Sequence, residues 1–145
     1  MSTGEVPVRG LADQLLMDVR LGDVDDLTTV LTGLAGSYGP QRHLFEPVLA
    51  ELVGLVVRGL EHRARPGCGV FVADVVNGDD EAVSIDDVPP ALRALLRAVL
   101  ASLNAAPGDT HFHLGLVAAD PDPLARIDVA MHALMWADVL SADLD

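Results

Sequence analysis

Apolar residues recur along this chain at the three- and four-residue spacing that gathers them on one face of an α-helix. Val8, Leu11, Ala12, Leu15, Leu16 and Val19 form the first stripe, with Pro7 placed for the first helical position. Gly22 is available for a left-handed residue at the end of that helix, and Asp23 for the N-cap of the next. Val24, Leu27, Leu31, Leu34 and Ala35 give the second helix an apolar face, and Asp25 and Asp26 favour its positive end. Leu92, Leu95, Leu96, Val99, Leu100 and Leu103 repeat the spacing of the first helix, with Asp86 or Asp87 as cap and Pro89-Pro90 in the first turn.

The chain is organised around the stretch from about 40 to 65. Val48, Leu49, Leu52, Val53, Leu55, Val56 and Val57 leave almost no polar face, and a helix apolar all round belongs inside. Pro47 implies either a helix starting near Glu46 or an earlier turn around His43 to Phe45 joined to it by a kink. The predicted fold class is therefore mainly α: one domain over 1–145, a helical bundle around a central buried helix. A small β-hairpin at about 69–86 is suggested by Val70, Phe71, Val72, Val75 and Val76, by the turn dipeptide Asn77-Gly78, and by the run Val83 to Ile85.

Segment 110–118 can be read two ways. Alternation of Thr110, Phe112, Leu114 and Leu116 suits a strand, whereas Phe112, Leu116 and Ala119 suit a helix capped by Asp109. The helix is the main reading; an α+β fold with a small antiparallel sheet including 110–118 is the alternative.

A final helix from Pro123 to about Ser141 carries two apolar stripes. Leu124, Ile127, Met131, Leu134 and Met135 form one; Val129, His132, Trp136, Val139 and Leu140 form the other. Only one stripe can meet the core. The second, which bears the single Trp, predicts a subunit interface and a homodimer. The two halves of the chain also echo each other as helix, Gly-Asp, short segment, proline, long helix. In that echo Leu44, Val48, Leu52 and Val56 align with Ile127, Met131, Met135 and Val139.

Composition narrows the function classes. With 22 acidic residues against 9 basic, all of them Arg, the net charge is −13, which disfavours nucleic acid and anionic membrane surfaces as partners. The Arg-only bias, with abundant Ala, Val, Leu and Asp, points to a GC-rich bacterial genome. The 50% hydrophobic fraction argues against disorder and leaves an apolar surplus for an interface. Glu51 and Arg58 interrupt the central apolar run well short of the ~18 residues a membrane span needs. A start at Met1-Ser2-Thr3-Gly4-Glu5, with neither basic region nor apolar core, and a single cysteine predict a cytoplasmic protein without disulfides.

Candidate chemistry is sparse. His111 and His113 would share a face on a strand and could hold a transition metal with Asp109 or His132, but on a helix they diverge by about 200°. Asp120, Asp122 and Asp128 invite a hard cation, yet Asp122 ahead of Pro123 is already explained as an N-cap. Cys68 between Gly67 and Gly69 is a lone thiol, and no dinucleotide, phosphate-loop or nucleophile-elbow motif occurs. No cofactor is expected, and surface or capping roles are the simpler account of each residue.

The expected function is a non-catalytic, cytosolic accessory or regulatory module that self-associates and binds a protein partner. The alternative is a small enzyme or metal- or ligand-binding protein using His111, His113, His132 or Glu51. A further alternative is an acidic decoy that engages a basic protein through Asp79 to Asp87.

Overall fold

The computed structural model describes residues 8–63, 75–76, 82–83 and 88–141. Among them, six helices run in the order α1 (Val8–Leu21), α2 (Val24–Ala35), α3 (Phe45–Arg63), α4 (Pro90–Leu103), α5 (Pro107–Ala118) and α6 (Pro123–Ser141). The fold is mainly α. One antiparallel ladder, β1 (Val75–Val76) with β2 (Ala82–Val83), lies between α3 and α4, within the span expected for a hairpin; the rest of that span and Cys68 lie outside the described residues. The strand alternative for 110–118 is overturned, because this segment falls within α5, which begins on Pro107.

Several helix ends follow directly from the sequence. Gly22 takes φ +69°, where the absence of Cβ removes the left-handed penalty, and the Asp23 N–H donates back to the Asp18 carbonyl at 2.9 Å. Asp23 then caps α2 by accepting from the Asp26 N–H at 3.1 Å. Asp122 accepts from the Leu124 N–H at 3.0 Å and so starts α6. A 3₁₀ turn at Arg42–Leu44 leads into α3 and leaves Pro47 in its first turn, where its missing N–H costs nothing. Two caps differ from expectation: the N-cap of α4 is Pro89 and that of α5 is Ala106, neither with a side-chain cap, and Asp109 lies in the first turn of α5.

The echo between the halves extends to helix lengths and burial, although α4 and α5 pack together far more closely than α1 and α2. Helices of 14, 12 and 19 residues are followed by helices of 14, 12 and 19. Buried Leu11, Ala12, Leu15 and Leu16 of α1 stand where Ala94, Leu95, Ala98 and Val99 stand in α4. Buried Val48, Leu49, Leu52, Val53 and Val56 of α3 correspond to Val129, Ala130, Ala133, Leu134 and Ala137 of α6. The alignment of Leu52 and Val56 with Met135 and Val139 is thus two residues out of register. Leu52 and Val56 are buried whereas Met135 and Val139 are exposed, so apolarity alone matched the wrong faces.

Helices α3 and α6 form the central pair. Large side chains of α3 meet the small ones of α6, which lets the two axes approach. The approach is tightest where a Cβ added to Gly59 would stand 2.5 Å from the Leu140 Cβ. Each short helix then crosses to the other half: α2 packs on α6, and α5 packs on α3. One core cluster joins all six helices, with Leu15, Leu34, Leu49, Leu52, Leu95 and Leu134 fully enclosed. Each such leucine stabilises the fold by about 2–3 kcal/mol relative to exposure.

Two glycines of α3 separate helix propensity from packing. A Cβ at Gly54 meets nothing within 4 Å, so Gly54→Ala should stabilise the protein by about 0.5–1 kcal/mol through propensity alone. Gly59→Ala should destabilise it by about 1–3 kcal/mol through overpacking against Leu140. Urea unfolding of the two variants measures both signs.

Candidate functional site

The outer face of α6 was expected to be an interface made by Val129, His132, Trp136, Val139 and Leu140. That set is corrected by the packing. Val129 and Leu140 are buried in the protein's own core and are not available to a second chain, Trp136 and His132 are half-buried, and Val139 is 61% exposed. The inward face of α6 comprises Arg126, Val129, Ala130, Ala133, Leu134, Ala137 and Leu140. Leu124, Met131, Met135 and Val139 fall instead within about 80° of one another on the opposite side, spread along roughly 22 Å of helix. Leu124, Met135 and Val139 are each more than half exposed, and Met131 is half-buried.

The histidines are not brought together. His111 and His113 share α5 and stand about 200° apart round its axis, so the strand-borne pair does not form. His132 is occupied on α6: its Nδ1 lies 2.8 Å from the Asp128 carbonyl oxygen, and its ring meets Trp136 edge-on with centroids 5.9 Å apart. Asp109 is exposed in the first turn of α5. Asp120 Oδ1 accepts from the Asp122 N–H at 2.9 Å, which is turn chemistry. Among the described residues no cluster of three His, Cys, Asp or Glu is placed to hold a metal ion. Glu51 is half-buried on α3, and Arg58 is exposed with its Nε donating to the Gly54 carbonyl.

His113 does line something. A groove of about 490 Å³ runs between α4 and α5, bounded by Arg93, Arg97, His113, Leu116 and Asp120 over a floor of Pro90, Ala91 and Ala94. Its size is that of a small-molecule site. The His113 Nδ1 is buried and makes no hydrogen bond. A separate void among α1, α2, α3 and α6 has only about 10 Å³ and apolar walls, too small and too dry for a ligand.

The two buried charged residues described, Arg126 and Asp18, were not among the candidates that the sequence suggested. Arg126 is 3% exposed, and its Nε and Nη2 donate to the Ala35 carbonyl at 2.8 and 2.6 Å while Nη1 donates to the Asp120 carbonyl. Arg42 does the same for the other half, donating from Nη2 to the Ala118 carbonyl. Ala35 ends α2 and Ala118 ends α5, so each guanidinium caps the short helix of the opposite half at its negative pole. Burial, and then the neighbouring charge of Arg126, lower the pKa of Arg42. The readable signal was position: Arg126 falls at i−3 and i−4 from Val129 and Ala130, on the face that turns inward.

Asp18 is 6% exposed between α1 and α2, with one carboxylate oxygen lacking a partner. Its pKa is pushed up to about 6, first by a hydrogen bond shared with Asp26, then by desolvation and by the charges of Asp26 and Asp23. Asp26 is lowered, by the same bond and by the Gln14 Nε2 that donates to it at 3.0 Å. The pair lines neither cavity described above and serves to join α1 to α2. No family model, characterised protein or solved structure matches the chain.

Two predictions concern these buried charges. Arg126→Ala leaves the Ala35 carbonyl at the end of α2 and the Asp120 carbonyl between α5 and α6 without this donor and should cost about 3–5 kcal/mol, with Arg126→Lys recovering only part, as measured by urea unfolding. Because the folded pKa of Asp18 is raised, its stabilising effect is complete below the ordinary value of 3.8 and is lost as pH rises through about 6. Asp18→Asn, which is permanently neutral, should melt higher than the parent at about pH 7.5 and lose that advantage only as pH falls below the ordinary carboxylate value of 3.8.

Proposed function

We propose that this protein is a non-catalytic accessory module that self-associates through the outer face of α6 and works by holding a partner in place. The observation that carries the reading is the strip of Leu124, Met131, Met135 and Val139, apolar residues on the solvent side of a helix whose inner face already completes the core. Scattered apolar residues are ordinary on a surface, but four aligned along one helix face, interrupted only by Asp128, form a patch of the kind interfaces share. The occupant proposed is a second copy of the chain, since one helix face repeated about a two-fold axis meets its own kind. A cytosolic location belongs to the same reading, supported by the single cysteine. No helix among the described residues is long and apolar enough to cross a membrane.

Charge opposes this association. Each copy carries −13, so the dimer must hold two strongly like-charged bodies together, and the repulsion is screened as salt rises. Self-association should therefore strengthen between low salt and about 0.5 M salt, the reverse of a contact made by salt bridges. Analytical ultracentrifugation is expected to show a dimer that Met135→Gln with Val139→Gln weakens roughly tenfold or more while circular dichroism is unchanged. A monomer at every concentration and salt would sink the proposal.

A further inference from the structure

We infer that the groove between α4 and α5 is a binding site for a small organic acid: one carboxylate joined to a short aliphatic body. The inference is independent of self-association through α6. It begins from a comparison of the two halves. The positions of Arg93, Arg97 and His113 in the second half correspond to Gly10, Gln14 and Val30 in the first. At these places the first half holds no cation.

His113 makes the point most sharply. Its counterpart Val30 is a core residue, 8% exposed, so this position of the short helix accommodates an apolar side chain. His113 instead brings a ring nitrogen that is buried without a hydrogen-bond partner, an arrangement that costs about 1–3 kcal/mol. It also lines the groove. Its ring is thereby placed to contact a ligand held there.

The charge of the groove gives the sign of that ligand. The chain is strongly acidic, yet two of its nine arginines and one of its five histidines line this groove, against the one described carboxylate of Asp120. Asp120 is already engaged, since its Oδ1 accepts from the Asp122 N–H. Arg93 and Arg97 stand one turn apart on α4, and each already makes polar interactions within the chain. A guanidinium has five N–H donors, so such engagement leaves capacity for a carboxylate. Helix α4 adds to the field: its N-terminus begins at Pro90 in the groove, with no acidic residue in the first turn and no side-chain cap from Pro89.

The remaining lining gives the ligand its shape. Pro90, Ala91, Ala94 and Leu116 are apolar, so a fully hydrated anion such as phosphate would leave half of the groove unused. Asp120 also disfavours a second negative charge. A monocarboxylate with an aliphatic chain satisfies both ends, its head on Arg97, Arg93 and His113 and its body on Leu116 and the alanine floor.

Octanoate, adipate and inorganic phosphate, titrated against ¹⁵N-labelled protein and by calorimetry, test the assignment. Octanoate is expected to bind saturably and to shift the His113 ring and Arg97 side-chain resonances, with adipate and phosphate at least about tenfold weaker. Arg97→Gln should weaken octanoate about tenfold or more. His113→Val should also weaken it while raising the melting temperature, because it restores the apolar residue of the first half. That combination separates a ligand role from a structural one. No saturable octanoate binding at millimolar concentration would overturn the inference, as would phosphate binding as tightly as octanoate, or wild-type octanoate affinity in folded Arg97→Gln and His113→Val.

Discussion

The close approach of α3 and α6 is the constraint on which the rest of the structure rests. It requires small residues on one partner and large ones on the other, and the chain supplies Ala130, Ala133 and Ala137 opposite a helix rich in leucine and valine. At Gly59 the two helices come so near that even a methyl group would collide with Leu140. The short helices then cross over this central pair, α2 onto α6 and α5 onto α3, so neither three-helix half encloses a core without the other.

The crossing creates a polar problem that two arginines solve. Each short helix ends against the opposite half, with Ala35 buried and Ala118 half-buried. Arg126 serves the end of α2 and Arg42 the end of α5, in each case from the approach to the long helix that the short one packs upon. Charge-assisted donation to carbonyls is favoured there by the negative pole of the helix. In so acidic a chain, these arginines are used for backbone carbonyls where carboxylates abound, which ties the exchange between halves to specific side chains and not to apolar contact alone.

Against this shared plan, the differences between halves become informative. The α4–α5 groove is walled by Arg93, Arg97 and His113, and the matching places on α1 and α2 hold Gly10, Gln14 and Val30. The Asp18–Asp26 pair is likewise confined to one half. Because the pKa of Asp18 is raised to about 6, the stability contributed there falls as pH rises.

The positions of the helices, their ends at Gly22, Asp23 and Asp122, and the mainly α class were legible in the sequence because each depends on local periodicity and on hydrogen bonds spanning a few residues. The burial of most of α3 was legible for the same reason: an all-round apolar helix leaves little choice of face. On α6 the choice was real. Two apolar stripes competed, and the surface of α3 selected a third set, placing Val129 and Leu140 inside and Leu124, Met135 and Val139 outside. Residue type could not identify that set, because alanines carry little hydrophobic signal yet were what close packing required. Arg126 was hidden likewise, since an arginine reads as surface until the helix end that it caps is brought to it. Local chemistry determined where the chain turns and coils; the fit between distant surfaces decided which face is core, which charges are buried, and which side chains meet in the groove.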